Sequence, residues 1–175
     1  MADDLDFSVQ RTVTGEELLR SSGRLERLGW LTKRISAGNF YFLQDGTFSQ
    51  LLFQETADSF VNGQFIAAIV LGFSFIERSI AGRLSHVGGK QIAHESSEKL
   101  FRAALTKGWL TQPEYESLES LRTLRNPIIH FKEQLHLDRP EIRALLQGKT
   151  PLLMLEADAR KILEAAVRLL GKTAI

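Results

Sequence analysis

The apolar and polar positions of this chain recur with the period of α-helices. Residues 156–170 show it best, since Ile162, Leu163, Ala166 and Leu169 would share one face of a helix. Helical spacing and capping residues predict helices elsewhere as well, at residues 14–36, 47–62, 64–85, 97–107 and 111–125, with a short one between residues 140 and 148. No convincing pair of strands accompanies them.

Capping residues predict several of these helix ends more closely. Thr111 and Glu114 have the spacing of a capping box and would open the fifth helix. Thr47 is expected to cap the second helix, and Gly108 fits the C′ position that ends the fourth. The predicted fold is all-α, an up-and-down bundle of about five to six helices, in a single domain that spans residues 1–175.

Composition narrows the range of functions. The chain is 43% hydrophobic and 25% charged with a net charge of +1, so a nucleic-acid site would have to be a local patch. The absence of cysteine excludes disulfides and thiolate metal sites and fits a cytoplasmic location. The apolar run at residues 65–76 is too short to span a bilayer and predicts a buried helix, so no membrane partner is expected.

The most informative motif lies at residues 125–130, with the sequence R-N-P-I-I-H. Arg125 is always charged and can hold a phosphate, whereas His130 can move a proton near neutral pH. Those two abilities suffice in principle for phosphodiester cleavage without a metal. Asn126 is a good N-cap and Pro127 suits the first helical position, so we expect the helix to break there and a new segment to carry His130.

Glu77 is a second anomaly. On the predicted third helix it shares its direction with apolar residues such as Phe73 and Ile80, and a carboxylate there needs a partner. Arg125 points into an apolar stripe in the same way, four positions after Leu121. We therefore expect Glu77 and Arg125 to face each other. The pair would be either a structural salt bridge or a carboxylate that orients Arg125 for phosphate.

The motif, together with the upstream sequence E-K-L-F-R-A-A-L-T-K-G-W-L-T at residues 98–111, resembles the HEPN family, the higher eukaryotes and prokaryotes nucleotide-binding domains. The family signature is an arginine, a polar residue, three further residues and a histidine, which here are Arg125, Asn126, residues 127–129 and His130. The resemblance covers residues 64–131. It implies a HEPN-like helical bundle that commonly dimerises, and catalytic roles for Arg125, Asn126 and His130.

The resemblance also implies a function. We expect a metal-independent endoribonuclease that acts on RNA as a homodimer, in the manner of a toxin or defence nuclease with an antitoxin or nucleotidyltransferase partner. Arg125 would bind the scissile phosphate, His130 would transfer protons, and Glu77 would support Arg125. No metal or cofactor is expected, because the histidines match no zinc pattern and no glycine-rich phosphate loop is present.

Two other interpretations remain open at this stage. The first is a non-catalytic HEPN module that binds a nucleotide or a protein. The second is a plain helical interaction domain whose motif is a salt-bridged helix break. Basic residues near the motif would form either a basic rim or a mixed solvated surface: Arg122, Lys132, Arg139, Arg143 and Lys149. A second apolar face on the third helix predicts that this helix is either central or shared with another subunit: Ala68, Leu71, Gly72 and Phe75.

Overall fold

A computed structural model describes residues 15–35, 46–86 and 91–173 of the chain, and this part contains helices and no strand. These described ranges contain seven α-helices: α1 Gly15–Thr32, α2 Thr47–Val61, α3 Phe65–His86, α4 Ser97–Thr106, α5 Gln112–Ile129, α6 Pro140–Leu146 and α7 Pro151–Thr173, with a 3-10 helix, Ile92–His94, before α4. The all-α prediction is confirmed for these residues. The predicted number of five to six helices is too low, since the described residues contain seven. The short helix expected between residues 140 and 148 is confirmed as α6, which ends before Gly148, at φ 62°.

The helix ends follow the local chemistry of the sequence in most places. The predicted capping box is confirmed, since the Thr111 N–H donates to Glu114 Oε2 at 2.8 Å. Gly108 follows α4 with φ 72°, the left-handed conformation that glycine adopts easily. Thr47 is the first residue of α2 rather than its cap, because Gly46 takes the N-cap position. The predicted start of the first helix at Thr14 lies outside the described residues, whereas its predicted end near residue 36 is wrong, because α1 ends at Thr32 and a turn follows.

Helix α3 is the central element of the described structure. It packs against α2, α4, α5 and α7, and Phe73, Phe75, Ile76 and Ile80 are fully buried along it. The second apolar face also points into the protein, because Ala68, Gly72 and Phe75 are buried and Leu71 is partly buried against the core. Of the two explanations for a helix that is apolar all round, the central position is confirmed, since helices of the same chain cover most of this face.

Gly72 lies where α2 and α7 both pack closely against α3. A Cβ atom at this position would lie 2.6 Å from Ile162 Cγ2 and 2.9 Å from Thr56 Cγ2. Neither of these side chains is exposed to solvent. The absence of a side chain at residue 72 therefore lets three helices share one crossing, which sets the packing of the core.

Helix α7 packs against α3 and contributes a stripe of buried residues to the core. Its predicted apolar stripe is confirmed, because Ile162, Leu163, Ala166, Leu169 and Leu170 are all buried. A fully buried carboxylate, Asp158, accepts hydrogen bonds from Arg143 and thereby ties α6 to α7. This contact holds the chain that follows the R-N-P-I-I-H motif close to the bundle.

Helix α3 is also long and apolar. Among the described residues it is the one helix long and apolar enough to cross a membrane by length and composition, with a mean hydropathy of 1.6 over its most apolar stretch. The core helix of a globular protein passes the same test, and 56% of that stretch is buried against other helices of this chain.

Candidate functional site

Arg125 and Glu77 form the ion pair that the sequence predicts. Arg125 lies near the end of α5, and its Nη2 donates to Glu77 Oε1 on α3 at 2.9 Å. The two side chains are 13% and 24% exposed, so both are largely removed from water. The pairing of the two residues is confirmed, whereas its role in a functional site stays a prediction.

Two further contacts hold the Arg125 guanidinium. Its Cζ lies 4.4 Å from the centre of the ring of Phe73, a fully buried side chain one helical turn before Glu77. A guanidinium over an aromatic face is attracted by the negative potential of that face. Its Nη1 also donates to Asn126 Oδ1 at 3.4 Å. The position of this cation is therefore set by a carboxylate, a ring and an amide.

Ser97 adds a contact that the sequence analysis missed. It is the first residue of α4, and its Oγ donates to the same Glu77 Oε1 atom that accepts from Arg125. Glu77 thus connects the start of α4 with the end of α5. No sequence signal identifies Ser97, because the contact depends on how α3 and α4 pack and not on spacing along the chain.

The predicted helix break at Asn126 and Pro127 is wrong. Helix α5 continues through both residues to Ile129, so Asn126 is a helical residue and not an N-cap. Pro127 has no N–H to donate to the Thr123 carbonyl, which normally disfavours helix. The loss is tolerated because it falls in the last turn of α5 and because the following residue, Ile128, packs against the core.

His130 lies at the point where α5 ends. Its N–H donates to the Asn126 carbonyl at 2.9 Å, and its backbone is extended, with φ −117° and ψ 137°. Its side chain is exposed to solvent. A histidine buried in the monomer core would have excluded any role in proton transfer, and the structure does not place it there.

The charge around the motif is mixed. Arg122 Nη2 lies 2.7 Å from Glu119 Oε2, and this hydrogen bond raises the pKa of Arg122 above its ordinary value. Arg139 Nε donates to Glu141 Oε1 at 2.6 Å. With Arg143 paired to Asp158 as well, three of the five basic residues near the motif have carboxylate partners. These pairs favour the mixed solvated surface over the basic rim.

Exposed apolar side chains lie at the end of the motif and directly after it, and the sequence analysis did not predict them. Four of these residues, which we call the apolar margin, are 42%, 90%, 82% and 67% exposed: Ile129, Phe131, Leu135 and Leu137. Arg139 Nη1 donates to the Lys132 carbonyl at 3.2 Å and holds this segment against the start of α6. Large apolar residues that are exposed together commonly mark a surface that contacts another molecule.

Among the residues that the structure describes, no three histidine, aspartate or glutamate side chains come together in a way that could hold a metal ion. The chain matches no protein-family model, and it has no significant match among curated proteins or solved structures. The class of protein is thus described from the fold and the site alone. In the part that the structure describes, it is a helical protein in which Arg125 is held in place near the end of α5 and His130 is exposed where α5 ends.

Proposed function

We propose that this protein is a metal-independent endoribonuclease of the HEPN type that acts as a homodimer. The observation that carries the proposal is the geometry at the end of α5. Arg125 is held by Glu77 and by the ring of Phe73, whereas His130, five residues later, is exposed. A fixed cation near the end of a helix, with an exposed imidazole five residues later in the chain, suits a reaction that develops charge on a phosphate and moves protons.

The chemistry would use the ribose of the substrate as the nucleophile. His130 would take the proton of the 2′-hydroxyl, whose oxygen attacks the adjacent phosphorus and displaces the 5′-oxygen of the next nucleotide. A protonated histidine would then give that leaving oxygen its proton. Arg125 would stabilise the negative charge on the phosphoryl oxygens. The products would be a 2′,3′-cyclic phosphate and a free 5′-hydroxyl, without any need for a metal ion.

The apolar margin supports the dimeric part of this proposal. It adjoins His130 in the chain, so a second copy packed on it would bring two copies of the motif near one axis. One histidine would then act as the base and the other as the acid. Two copies of Arg125 would share the charge of the phosphate.

A second candidate function is a non-catalytic module that binds a nucleotide or a protein. One observation favours it: Glu77 already occupies one of the donors of Arg125, which leaves less positive charge for a substrate phosphate. The net charge of +1 points the same way, since it supplies little general attraction for RNA. An antitoxin or a nucleotidyltransferase as partner remains part of the proposal that rests on the family resemblance.

Cleavage of mixed RNA in the presence of EDTA tests the leading proposal. The wild-type protein should release fragments with cyclic phosphate ends, and His130→Ala should abolish this activity while it leaves the helical content unchanged. His94→Ala is the matched control, because His94 is also exposed but lies in the 3-10 helix before α4. Activity that disappears with EDTA and returns with magnesium would contradict the mechanism. RNA binding without cleavage would favour the non-catalytic module.

A further inference from the structure

A cleft separate from the motif lies between α1, the loop before α3, and the first turns of α7. Its volume is about 630 Å³, which is within the range of sites that bind small molecules. Its walls include three arginines of α1, the turn between α2 and α3, and two residues of α7: Arg20, Arg24, Arg27, Asn62, Gly63, Leu152 and Glu156.

The three arginines lie on one side of α1. Arg24 and Arg27 follow Arg20 at four and seven positions, the spacing that places side chains on a single helix face. Such a face is normally apolar where it meets the rest of a protein. Here it presents guanidinium groups to a cleft, an arrangement that packing alone does not require.

Arg27 is held in place by the protein around it. Its Nε donates to the Val61 carbonyl at 3.1 Å, and its Cζ lies 5.5 Å from the centre of the Phe65 ring. Two glycines leave room for its guanidinium, because a Cβ at Gly23 would lie 3.0 Å from Nη1 and one at Gly63 would lie 3.4 Å from Nη2. The guanidinium is thus positioned before any ligand arrives.

The charge of the cleft is positive. Among the side chains that the structure describes, those of residues 20–35, 46–86 and 91–172, no ion pair joins Arg24 or Arg27 to a carboxylate. The carboxylate that lines the cleft, Glu156, is paired with Arg160, whose Nη2 lies 2.7 Å from Glu156 Oε1 and also contacts Glu26. Two arginines without a carboxylate partner therefore face a cavity, which is favourable only if an anion or water occupies it.

We propose that this cleft binds a phosphate group, with Arg24 and Arg27 as its principal contacts. Arginine donates two parallel hydrogen bonds to phosphate oxygens, and the cleft also lies at the start of the 22-residue helix α3, whose N-terminal end attracts anions. On α7, Leu152 and Glu156 line the cleft, whereas Met154 and Asp158 contact Arg143 of α6. Each cleft residue is two positions from one of the residues that face α6, and two positions on a helix differ in direction by about 200°. The cleft is therefore on the side of α7 away from α6.

Two probes distinguish a free phosphate compound from the backbone of a nucleic acid. The first is inorganic pyrophosphate, and the second is a 2′-O-methyl oligoribonucleotide, which the proposed nuclease activity cannot cleave. Binding is measured by calorimetry for the whole chain. Arg24→Glu should lower the affinity for the probe that binds by roughly tenfold or more, because a charge-assisted hydrogen bond is lost. Arg24→Gln should weaken it less.

Lys33→Glu is the matched control. It makes the same change of charge, but Lys33 lies in the turn directly after α1, nine positions after Arg24, and lines a different cavity. Saturable binding of either probe that Arg24→Glu weakens and Lys33→Glu leaves unchanged supports the proposal, and the probe that binds identifies the source of the phosphate. Absence of saturable binding of both probes, or equal weakening by the two variants, overturns it. Neither readout depends on His130 or on cleavage of RNA.

Discussion

At the scale of single residues, the pair of Glu77 and Arg125 shows how two charges can be accommodated in a largely buried position. Each would be unfavourable alone, and each has the other as its partner together with additional neighbours. Glu77 accepts from Ser97 as well, and Arg125 lies over the ring of Phe73. Removal of either partner therefore affects more than a single hydrogen bond.

Glu77→Ala tests this arrangement. The variant leaves the Arg125 guanidinium without its counter-charge, and we expect the free energy of unfolding to fall by about 3 kcal/mol in urea denaturation. Glu77→Gln should cost less, because the amide oxygen still accepts hydrogen bonds. Glu98→Ala is the control, since its pair with Arg102 is exposed and should contribute less than about 1 kcal/mol. Equal losses for Glu77→Ala and Glu98→Ala would contradict the buried pair.

The residue scale also shows what sequence can and cannot reveal about the site. Helical phase identifies Glu77 and Arg125, because a charge among apolar neighbours on one helix predicts a partner on another. Ser97 and the exposure of the apolar margin have no such signal, since both follow from the packing of segments distant in sequence. The catalytic roles of Arg125, Asn126 and His130 stay predictions.

At the scale of elements, the residues near each helix end predict most of the helix boundaries. At Pro127 in α5, tertiary packing decides where the helix ends. The capping box at Thr111 and the glycine at residue 108 act within a few residues, so sequence locates them well. Pro127 also predicts a boundary from local chemistry alone. Helix α5 continues nonetheless, because burial of Ile128 against the core offsets one missing hydrogen bond.

Gly72→Ala tests the crossing of α2, α3 and α7. Alanine is the better helix former, but its Cβ would overlap Ile162 and Thr56, so the free energy of unfolding should fall by about 1–3 kcal/mol. Gly29→Ala is the matched control on α1, where a Cβ would meet nothing within 4 Å. It should leave the stability unchanged or raise it by up to about 1 kcal/mol. A stabilised Gly72→Ala variant in urea would show that the crossing is looser than the structure indicates.

At the scale of the whole molecule, the sequence predicts an all-helical protein but not how its surface is used. Periodicity identifies which residues of α7 are buried, since the core repeats with the helix. It does not identify Phe131 or Leu135 as exposed, because the irregular segment between α5 and α6 has no period. The apolar margin emerges only when the helices are assembled.

Phe131→Glu tests whether two copies meet at this margin. Phe131 is 90% exposed, so a charge there should leave the monomer folded while it converts a dimer into a monomer in sedimentation experiments. Leu25→Glu is the control, because Leu25 is 70% exposed on α1, outside the apolar margin. It should leave the dimer intact.

The same experiment extends to activity. The Phe131→Glu monomer should not cleave RNA, and a mixture of Arg125→Ala and His130→Ala chains should recover part of the activity if one site uses residues from two chains. A wild-type protein that is monomeric and fully active would end the proposal of a shared site.

The three contacts around Arg125 have a thermodynamic consequence for any ligand that binds there. A mobile arginine side chain loses conformational entropy equivalent to roughly 2 kcal/mol when it is ordered. Here Glu77, Asn126 and the ring of Phe73 order the guanidinium in the free protein. The entropic cost is therefore incurred when the chain folds, and a phosphate that arrives at Arg125 should bind with a correspondingly smaller entropic penalty.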